Sequence, residues 1–456
     1  MMRGVHARTL LGRLEERAAA GRPVGVAVIG AGVFGALYLA QARRTPGIHV
    51  IGVADLAPAS VRERLLGAGW PAAALGARSA EEARRRGTTW LTDDTAGVIA
   101  ASGVDVVIEA TGDAPAGVEH ALAAIGAGRH VVMVNVEADA LVGSLLAREA
   151  RAAGVVYTLA YGDQPALICE LVEWARLSGF EVVCAGKGTK HLSAYHEVTP
   201  ATVWEHYGLP PDQTANMNAQ MFCSFLDGTK SAVEMAAVAN ATGLVPQARG
   251  LGFPPCGTAE LASRLRPAAD GGVLDRGGTL EVVSSLGADG SPVPGDLRWG
   301  VYVTIAAADR FVEAAFAAYG LATSGDGRVA ALWRPSHLVG LELGVSVARA
   351  VLAGEPTGAP RAAIAEVACR AKRKLRAGEM IDGEGGDHVY GVLGRASPAG
   401  GERLLPMGLA RGARLLRDVA RGAAISQADV VPAAAGAAAR LHAELAREGE
   451  AAAVHT

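Results

Sequence analysis

The chain has 456 residues, half of them hydrophobic and a fifth charged, with a formal net charge of -3. It is too long for one ordinary hydrophobic core, so two or three domains are expected. A balance this close to neutral supplies no overall basic field for nucleic acid or an anionic membrane, and no uncharged apolar run approaches the roughly 18 residues of a membrane span. The five cysteines, Cys169, Cys184, Cys223, Cys256 and Cys369, are widely spaced and form no CxxC pair, which fits a reducing cytoplasm.

The stretch up to Arg22 carries arginines but is interrupted by Glu15 and Glu16 and has no apolar run behind it. It reads as a short amphipathic helix rather than a signal peptide. From Val24 to about Val156 the β-branched runs VGVAVIG, HVIGVAD, VDVVIEAT, HVVMVN and VVYTLA alternate with Ala/Leu-rich stretches of helical period, the rhythm of βαβ units. Runs apolar on both faces suit a parallel sheet covered by helices on both sides. Residues 1–160 are therefore expected to form an α/β, doubly wound Rossmann domain. Residues 161–360 change order: a helix around Gln164 to Leu177, a strand near Phe180 to Ala185, a polar loop, a long helix from near Asn216, and strands around Gly278–Ser285 and Gly300–Ala306. This predicts an α+β domain for substrate binding and oligomerisation. Residues 361–432, with short strands between glycines, read as a small β-rich module, and 433–456 as a surface helix or frayed tail.

The first chemical signal is Gly30, Gly32 and Gly35 in the run GAGVFG, directly after an apolar strand and opening a helix with Val33 and Phe34. Such glycines permit a tight turn, close approach of a pyrophosphate, and packing of helix on strand, while the helix N-terminus offers unpaired N–H groups. In a chain with 59 glycines the triplet alone is weak. Asp55, twenty residues beyond Gly35 at the end of the next strand, adds a carboxylate for the adenosine ribose. It leans towards NAD, and Arg62 and Arg64 leave NADP open. Thr111 and Gly112, with Asp113, follow the VDVVIEAT strand, and Asn135 and Glu137 follow HVVMVN, at the sheet edge where open α/β folds bind ligands. Glu137 reads as a general base or orienting carboxylate, or simply as a helix-capping acid.

Two lysine clusters stand out in the second domain. Lys187 and Lys190 are expected in a glycine-containing loop after a strand. Asp227, Lys230 and Glu234 are expected on one helix at i, i+3 and i+7, among Met, Phe, Cys, Ala and Val, so that the string faces a cleft rather than solvent. A buried lysine flanked by carboxylates can give a proton to a carbonyl oxygen or accept one from a hydroxyl, and Lys187 and Lys190 can do the same or hold an anion. Glu234 is a candidate substrate contact, and Arg334, Ser336 and His337 a candidate clamp for a phosphate or carboxylate, or else a helix entry capped by Ser336. His191, His196, His206 and Glu197 match no metal-ligand signature, so a divalent metal is not supported.

Together, VIGAGVFG, EATGDAPAGVEHALAAIGAGRHVVMVNVEAD, YGDQP, GKGTKH, SFLDGTKSAVEMAAVANATGL, RPSHLVGLELG, AKRKLRAGEMIDGEGG and LPMGLARGARLLRDV resemble homoserine-dehydrogenase-like oxidoreductases with a C-terminal SAF domain, best represented by the 1-deoxy-D-xylulose 5-phosphate reductoisomerase-like enzymes. The resemblance spans about Pro23 to Val431. It implies an NAD(P)-dependent enzyme acting on a small polyol, ketose phosphate or related hydroxy-carbonyl compound; in the reductoisomerase branch a rearrangement makes an aldehyde that NADPH reduces. Homoserine dehydrogenases proper use a lysine in an Asn-Lys motif where this chain has Asn135-Val136-Glu137, which counts against homoserine. Asp227 and Lys230 resemble the acid and lysine pair of those enzymes at a different spacing. The other readings are a redox-neutral enzyme that oxidises its substrate transiently, and a dinucleotide sensor. A small-molecule substrate, phosphorylated or not, and a homodimer or homotetramer are the expected partners.

Overall fold

The computed structural model describes residues 9–215, 217–396, 403–433 and 436–454. The chain divides into two compact units: residues 1–136, 143–166 and 338–359, and residues 137–142, 167–337 and 360–456. Two features of this division differ from the sequence-based boundaries. Residues 338–359 belong to the first unit because Leu343 and Val347 are buried in its core, and the C-terminal module belongs to the second, for the packing reasons given below.

In the first unit, helix α1 (Leu10–Ala19) leads into strand β1 (Val24–Ile29), followed by α2 (Val33–Ala42), β2 (Ile48–Ala54), α3 (Pro58–Gly67), α4 (Ala80–Arg86), β3 (Trp90–Thr92), α5 (Thr95–Ala100), β4 (Val106–Glu109), α6 (Ala114–Gly126), β5 (His130–Met133), α7 (Val136–Ala152) and β6 (Tyr157–Leu159). The six strands form one parallel sheet in the order β3-β2-β1-β4-β5-β6. The order reverses at β1, with β2 on one side and β4 on the other, and at such a point the loops diverge and leave a crevice at the carboxyl ends of the strands. Val24, Val26, Val28, Val106 and Ile108 are buried in the unit's core with Tyr38 and Leu39 of α2, which explains why these strands read as unbroken apolar runs. Strand β3 has no such run: its three residues are only half-buried.

The second unit holds α8 (Gln164–Leu177), β7 (Glu181–Thr189), α9 (Val203–Tyr207), α10 (Pro211–Thr214), α11 (Ala219–Leu226), α12 (Thr229–Thr242), α13 (Leu261–Arg264), β8 (Thr279–Ser284), β9 (Val301–Ala306), α14 (Arg310–Ala318), β10 (Ala322–Thr323) and β11 (Val329–Arg334). Its five-stranded sheet runs β10-β11-β9-β7-β8, parallel between β7 and β8 and antiparallel elsewhere. Residues Ser231 to Ala241 of α12 are all buried. On this helix packs the antiparallel pair β12 (Ala365–Ala371) and β13 (Val389–Arg395): Thr229 Oγ1 accepts from Gly391 N at 2.8 Å, and Asn240 Oδ1 accepts from Ile364 N and Ala365 N at 2.7 and 2.9 Å. The C-terminal strands thus satisfy polar groups of the central helix, which makes them part of this unit. All five cysteines lie in it, buried and unpaired. Among the described residues no helix is long and apolar enough to cross a membrane.

Candidate active site

The glycine run forms the turn between β1 and α2. Gly30 has φ +84°, and a Cβ there would lie 2.7 Å from the Ala110 carbonyl oxygen; one on Gly35 would lie 2.4 Å from the Gly30 oxygen. Both positions exclude a side chain. A Cβ on Gly32, by contrast, would meet nothing within 4 Å, so the backbone at the start of α2 is bare where a pyrophosphate would approach. Val33 stands exposed and Phe34 half-buried beside it. Asp55 braces this turn: Oδ2 accepts from Ala31 N at 2.8 Å and Oδ1 from Ala57 N at 2.9 Å. Arg64 donates to the Ala31 carbonyl, whereas Arg62 is committed to that of Leu75.

At the end of β4 the turn Thr111–Gly112 is pinned from two sides. Asn135 Nδ2 donates to the Asp113 carbonyl at 2.8 Å, and Thr111 Oγ1 donates to Glu109 at 2.5 Å. Asp113 itself caps α6, accepting from Ala116 N at 2.9 Å. Glu109, which the sequence did not single out, is fully buried, and its Oε1 also faces His120 Nδ1 at 3.2 Å. The loops after β1 and β4 therefore fit a dinucleotide: Gly30, Gly32, Val33, Phe34 and Gly35 for the pyrophosphate, Asp55 for the ribose, and Thr111, Gly112 and Asn135 at the neighbouring strand ends.

The lysines of the second unit are arranged otherwise than expected. Asp227, Lys230 and Glu234 do not share one helix. The chain breaks at Gly228, φ +88°, between the end of α11 at Asp227 and the start of α12 at Thr229; Asn216, the expected start of the single helix, lies outside the described residues. Glycine is required at the break because a Cβ would sit 3.2 Å from the Phe253 ring. Nor do Lys230 and Glu234 pair with each other. Lys230 pairs with Glu137 of α7, and Glu234 pairs with Lys187. Lys187 is not in a loop: β7 continues to Thr189, held by the parallel register with β8 through Ser284. Glu234, expected as a substrate contact, is buried against Lys187.

A third pair, missed in the sequence, joins Asp227 to Lys372 of the C-terminal strands at 2.8 Å. Lys372 also donates to the Val198 carbonyl at 2.7 Å and approaches Cys223 Sγ at 3.3 Å. Burial works against its charge, but Asp227 and Cys223 hold the ammonium above its ordinary value. The three pairs differ in access. Side chains of Lys372 and Asp227 are 2% and 0% exposed, those of Lys187 and Glu234 7% and 4%, and those of Lys230 and Glu137 20% and 13%. Only the last can meet a ligand without being dismantled. A pocket of about 280 Å³ opens beside Glu137, lined by Leu141, Val233, Glu366, Val367 and Met407.

Glu384 is a fourth acid of this cluster. Burial pushes its carboxyl up to about 8, reinforced by Glu137 and Asp227 and opposed by Lys230 and a hydrogen bond with Ser224. His191 and His196 donate from Nδ1 to the Leu226 and Asp227 carbonyls at 2.9 and 2.7 Å. Burial and the neighbouring His196 push His191 down to about 4. Among the described residues no group of three or more His, Cys, Asp or Glu converges as metal ligands.

Lys190 leaves the cluster. Its Nζ donates to the His206 and Tyr207 carbonyls at 2.7 and 3.2 Å, and burial and the Arg298 charge lower its pKa. The Arg298 guanidinium lies 5.3 Å from the Tyr207 ring centre and 4.7 Å from that of Trp299, so two cations share an aromatic frame. Arg334 ends β11 beside Val301, His337 Nδ1 donates to the Trp299 carbonyl at 2.7 Å, and Ser336 is exposed in an irregular segment and caps no helix.

Residues 25–159 match the NAD binding domain of homoserine dehydrogenase, and residues 162–343 match the catalytic domain of oxidoreductase DRL. The chain carries these two domains in series. Its fold is that of nicotinamide-dependent oxidoreductases, and residues beyond 343 fall outside both matches. No curated protein matches the chain. Among solved structures it is similar to DOX-P reductoisomerase in complex with magnesium (15% identity, 49% of this chain and 58% of that one, TM-score 0.32). It is also similar to a homoserine dehydrogenase from Thiobacillus denitrificans (20%, 49% and 50%, 0.32) and to an inositol dehydrogenase homolog from Azotobacter vinelandii complexed with NAD+ (20%, 40% and 46%, 0.28). The chain spans about half the length of these relatives.

Proposed function

We propose that the protein is an NAD(P)-dependent oxidoreductase acting on a small hydroxy-carbonyl compound of the sugar-phosphate kind, with Lys230 as the proton donor. The observation that carries this reading is the half-open Lys230–Glu137 pair set among two sealed ones. The bound nicotinamide supplies the hydride. Lys230 gives its proton to the carbonyl oxygen as negative charge develops there, and Glu137 keeps the ammonium oriented and favours its charged form. In the oxidative direction neutral Lys230 takes the hydroxyl proton. Glu137 stands two positions after Asn135 in the sequence, so acid and cofactor-side turn are parts of one short segment.

Lys187–Glu234 and Lys372–Asp227 act as fixed supports. Lys190 and Arg298 have room for an anion between aromatic rings and suit a phosphorylated substrate end. Asp55 favours NAD, because its carboxylate accepts from a ribose hydroxyl and repels a 2′-phosphate. The absorbance of NADH and NADPH, followed against phosphorylated and free hydroxy-carbonyl compounds, tests the reading. Net cofactor consumption with a phosphorylated aldehyde or ketose is expected. Turnover with no net consumption would replace it with a redox-neutral reaction, and tight cofactor binding with no turnover would leave a dinucleotide sensor.

A further inference from the structure

The C-terminal segment does more than cover the central helix. Its turn from Asp382 to His388 is built to a narrow specification: Asp382 accepts from the backbone N–H groups of Asp387 and His388 at 2.5 and 3.2 Å, and Gly383 and Gly385 have φ +86° and +67°. A Cβ on Gly385 would lie 2.0 Å from the Gln220 carbonyl oxygen, so the turn sits directly on α11. Gln220 Nε2 fastens it there through the carbonyls of Asp382 and Glu384, at 3.2 and 2.8 Å. One helical turn further on is Ser224, the hydrogen-bond partner of the Glu384 side chain. All of this construction delivers one carboxyl to the lysine cluster.

Two observations bear on the state of that carboxyl. The Ser224 hydroxyl has a single proton and donates it to the Met221 carbonyl at 2.8 Å; towards Glu384 it can then only accept, which requires Glu384 to carry the proton. The charges agree. Lys187, Lys230 and Lys372 are each matched by one carboxylate, Glu234, Glu137 and Asp227, and a fourth anion in a buried, balanced cluster is disfavoured. The charged groups facing Glu384 are Glu137 of α7, Asp227 at the end of α11 and Lys230 of α12.

We propose that Glu384 is the proton-holding partner of Lys230, a positioning residue that acts through the lysine and returns a proton to it after each reduction. The step balances. As the carbonyl carbon gains hydride, its oxygen takes a proton from the Lys230 ammonium, neutral Lys230 takes the proton of the Glu384 carboxyl, and the carboxylate is reprotonated from water. This inference rests on Lys230 being the proton donor, and its test does not.

The infrared carbonyl band of a protonated carboxylic acid, followed against pH in the cofactor-free protein, should disappear as pH rises through about 8. Glu384→Gln should abolish that titrating band, Glu384→Asp should keep one at a shifted pH, and Lys230→Met should move the wild-type transition upward by removing the facing cation. In turnover, Glu384→Gln should lose on the order of tenfold in kcat with KM little changed, together with the alkaline fall in rate that Glu384→Asp retains. A titrating band that survives Glu384→Gln, or one unmoved by Lys230→Met, would overturn the proposal whether or not a substrate is known. Wild-type kcat and pH profile in a folded Glu384→Gln protein would overturn the relay. Absence of turnover in the wild-type protein would count against the oxidoreductase reading, while the band still decides whether Glu384 holds the proton.

Discussion

The loop after β1 presents backbone to its ligand, whereas the cluster around α12 presents side chains, and the two differ in how their parts are gathered. Gly30 to Asp55 is a short stretch of sequence whose strain is absorbed by glycine, and it carries little charge of its own. The cluster draws Glu137, Lys187, Asp227, Lys230, Glu234, Lys372 and Glu384 from across the chain and buries them. Charges taken out of water must be matched and hydrogen-bonded, so this region tolerates almost no independent change. A backbone site can be altered one residue at a time. A buried ionic site responds as a unit, except at the one pair left half-open.

Lys230→Met tests that exception first. Loss of the proton donor should lower kcat by about 10²- to 10⁴-fold with cofactor affinity retained, as read by steady-state kinetics and fluorescence titration of NADH. Lys372→Met should do the reverse. Removing one partner from the sealed pair leaves Asp227 buried and uncompensated, at a loss of about 3–5 kcal/mol of stability in urea unfolding. If both variants behave alike, access does not separate chemistry from support. Next comes the glycine loop. Gly35→Ala forces a Cβ against the Gly30 oxygen and should cost about 1–3 kcal/mol in denaturant unfolding. Gly32→Ala faces open space and should leave stability within about 0.5 kcal/mol while weakening NADH binding roughly tenfold, about 1.4 kcal/mol.

The smallest effect concerns His191. Its pKa falls from 6.5 unfolded to about 4 folded, so between these values the unfolded chain binds more protons. Stability from the neutral ring is fully present above 6.5 and is lost as pH drops towards 4. The urea midpoint of His191→Asn should fall less steeply over that window than that of the wild type; equal slopes would remove His191 from the acid response.

Most of the Rossmann unit was legible because its strands are apolar on both faces and its glycines and Asp55 lie close in sequence. Strand β3 escaped notice because three half-buried residues carry no periodic signal. In the second unit residue types were legible and partners were not. Asp227, Lys230 and Glu234 fit a helical repeat, but that repeat is blind to Gly228, which ends one helix and starts another. Lys372 and Glu384 sit in a basic run and a glycine-rich run that read as surface, and nothing local shows that β12 packs on α12. Arg298 lacked any motif; only its two ring neighbours mark it. The domain boundaries shifted for the same reason: the segment after His337 is assigned by the core it enters, not by its neighbours in sequence.

The placement of the cysteines gives the second unit a built-in reporter. Cys169, Cys184, Cys223, Cys256 and Cys369 all belong to it and all are buried, with burial raising the thiols of Cys169, Cys223 and Cys256 to about 12. A thiol reagent attacks the thiolate and needs access, so labelling of the folded chain waits for local opening. Each cysteine is then a clock for its own neighbourhood: Cys223 for the Asp227–Lys372 pair, Cys184 for the lysine-bearing strand, and Cys369 for the strand that brings in the C-terminal segment. The dinucleotide-binding unit, having no thiol, is silent in the same experiment, and a single cysteine introduced there would follow its motions without interference.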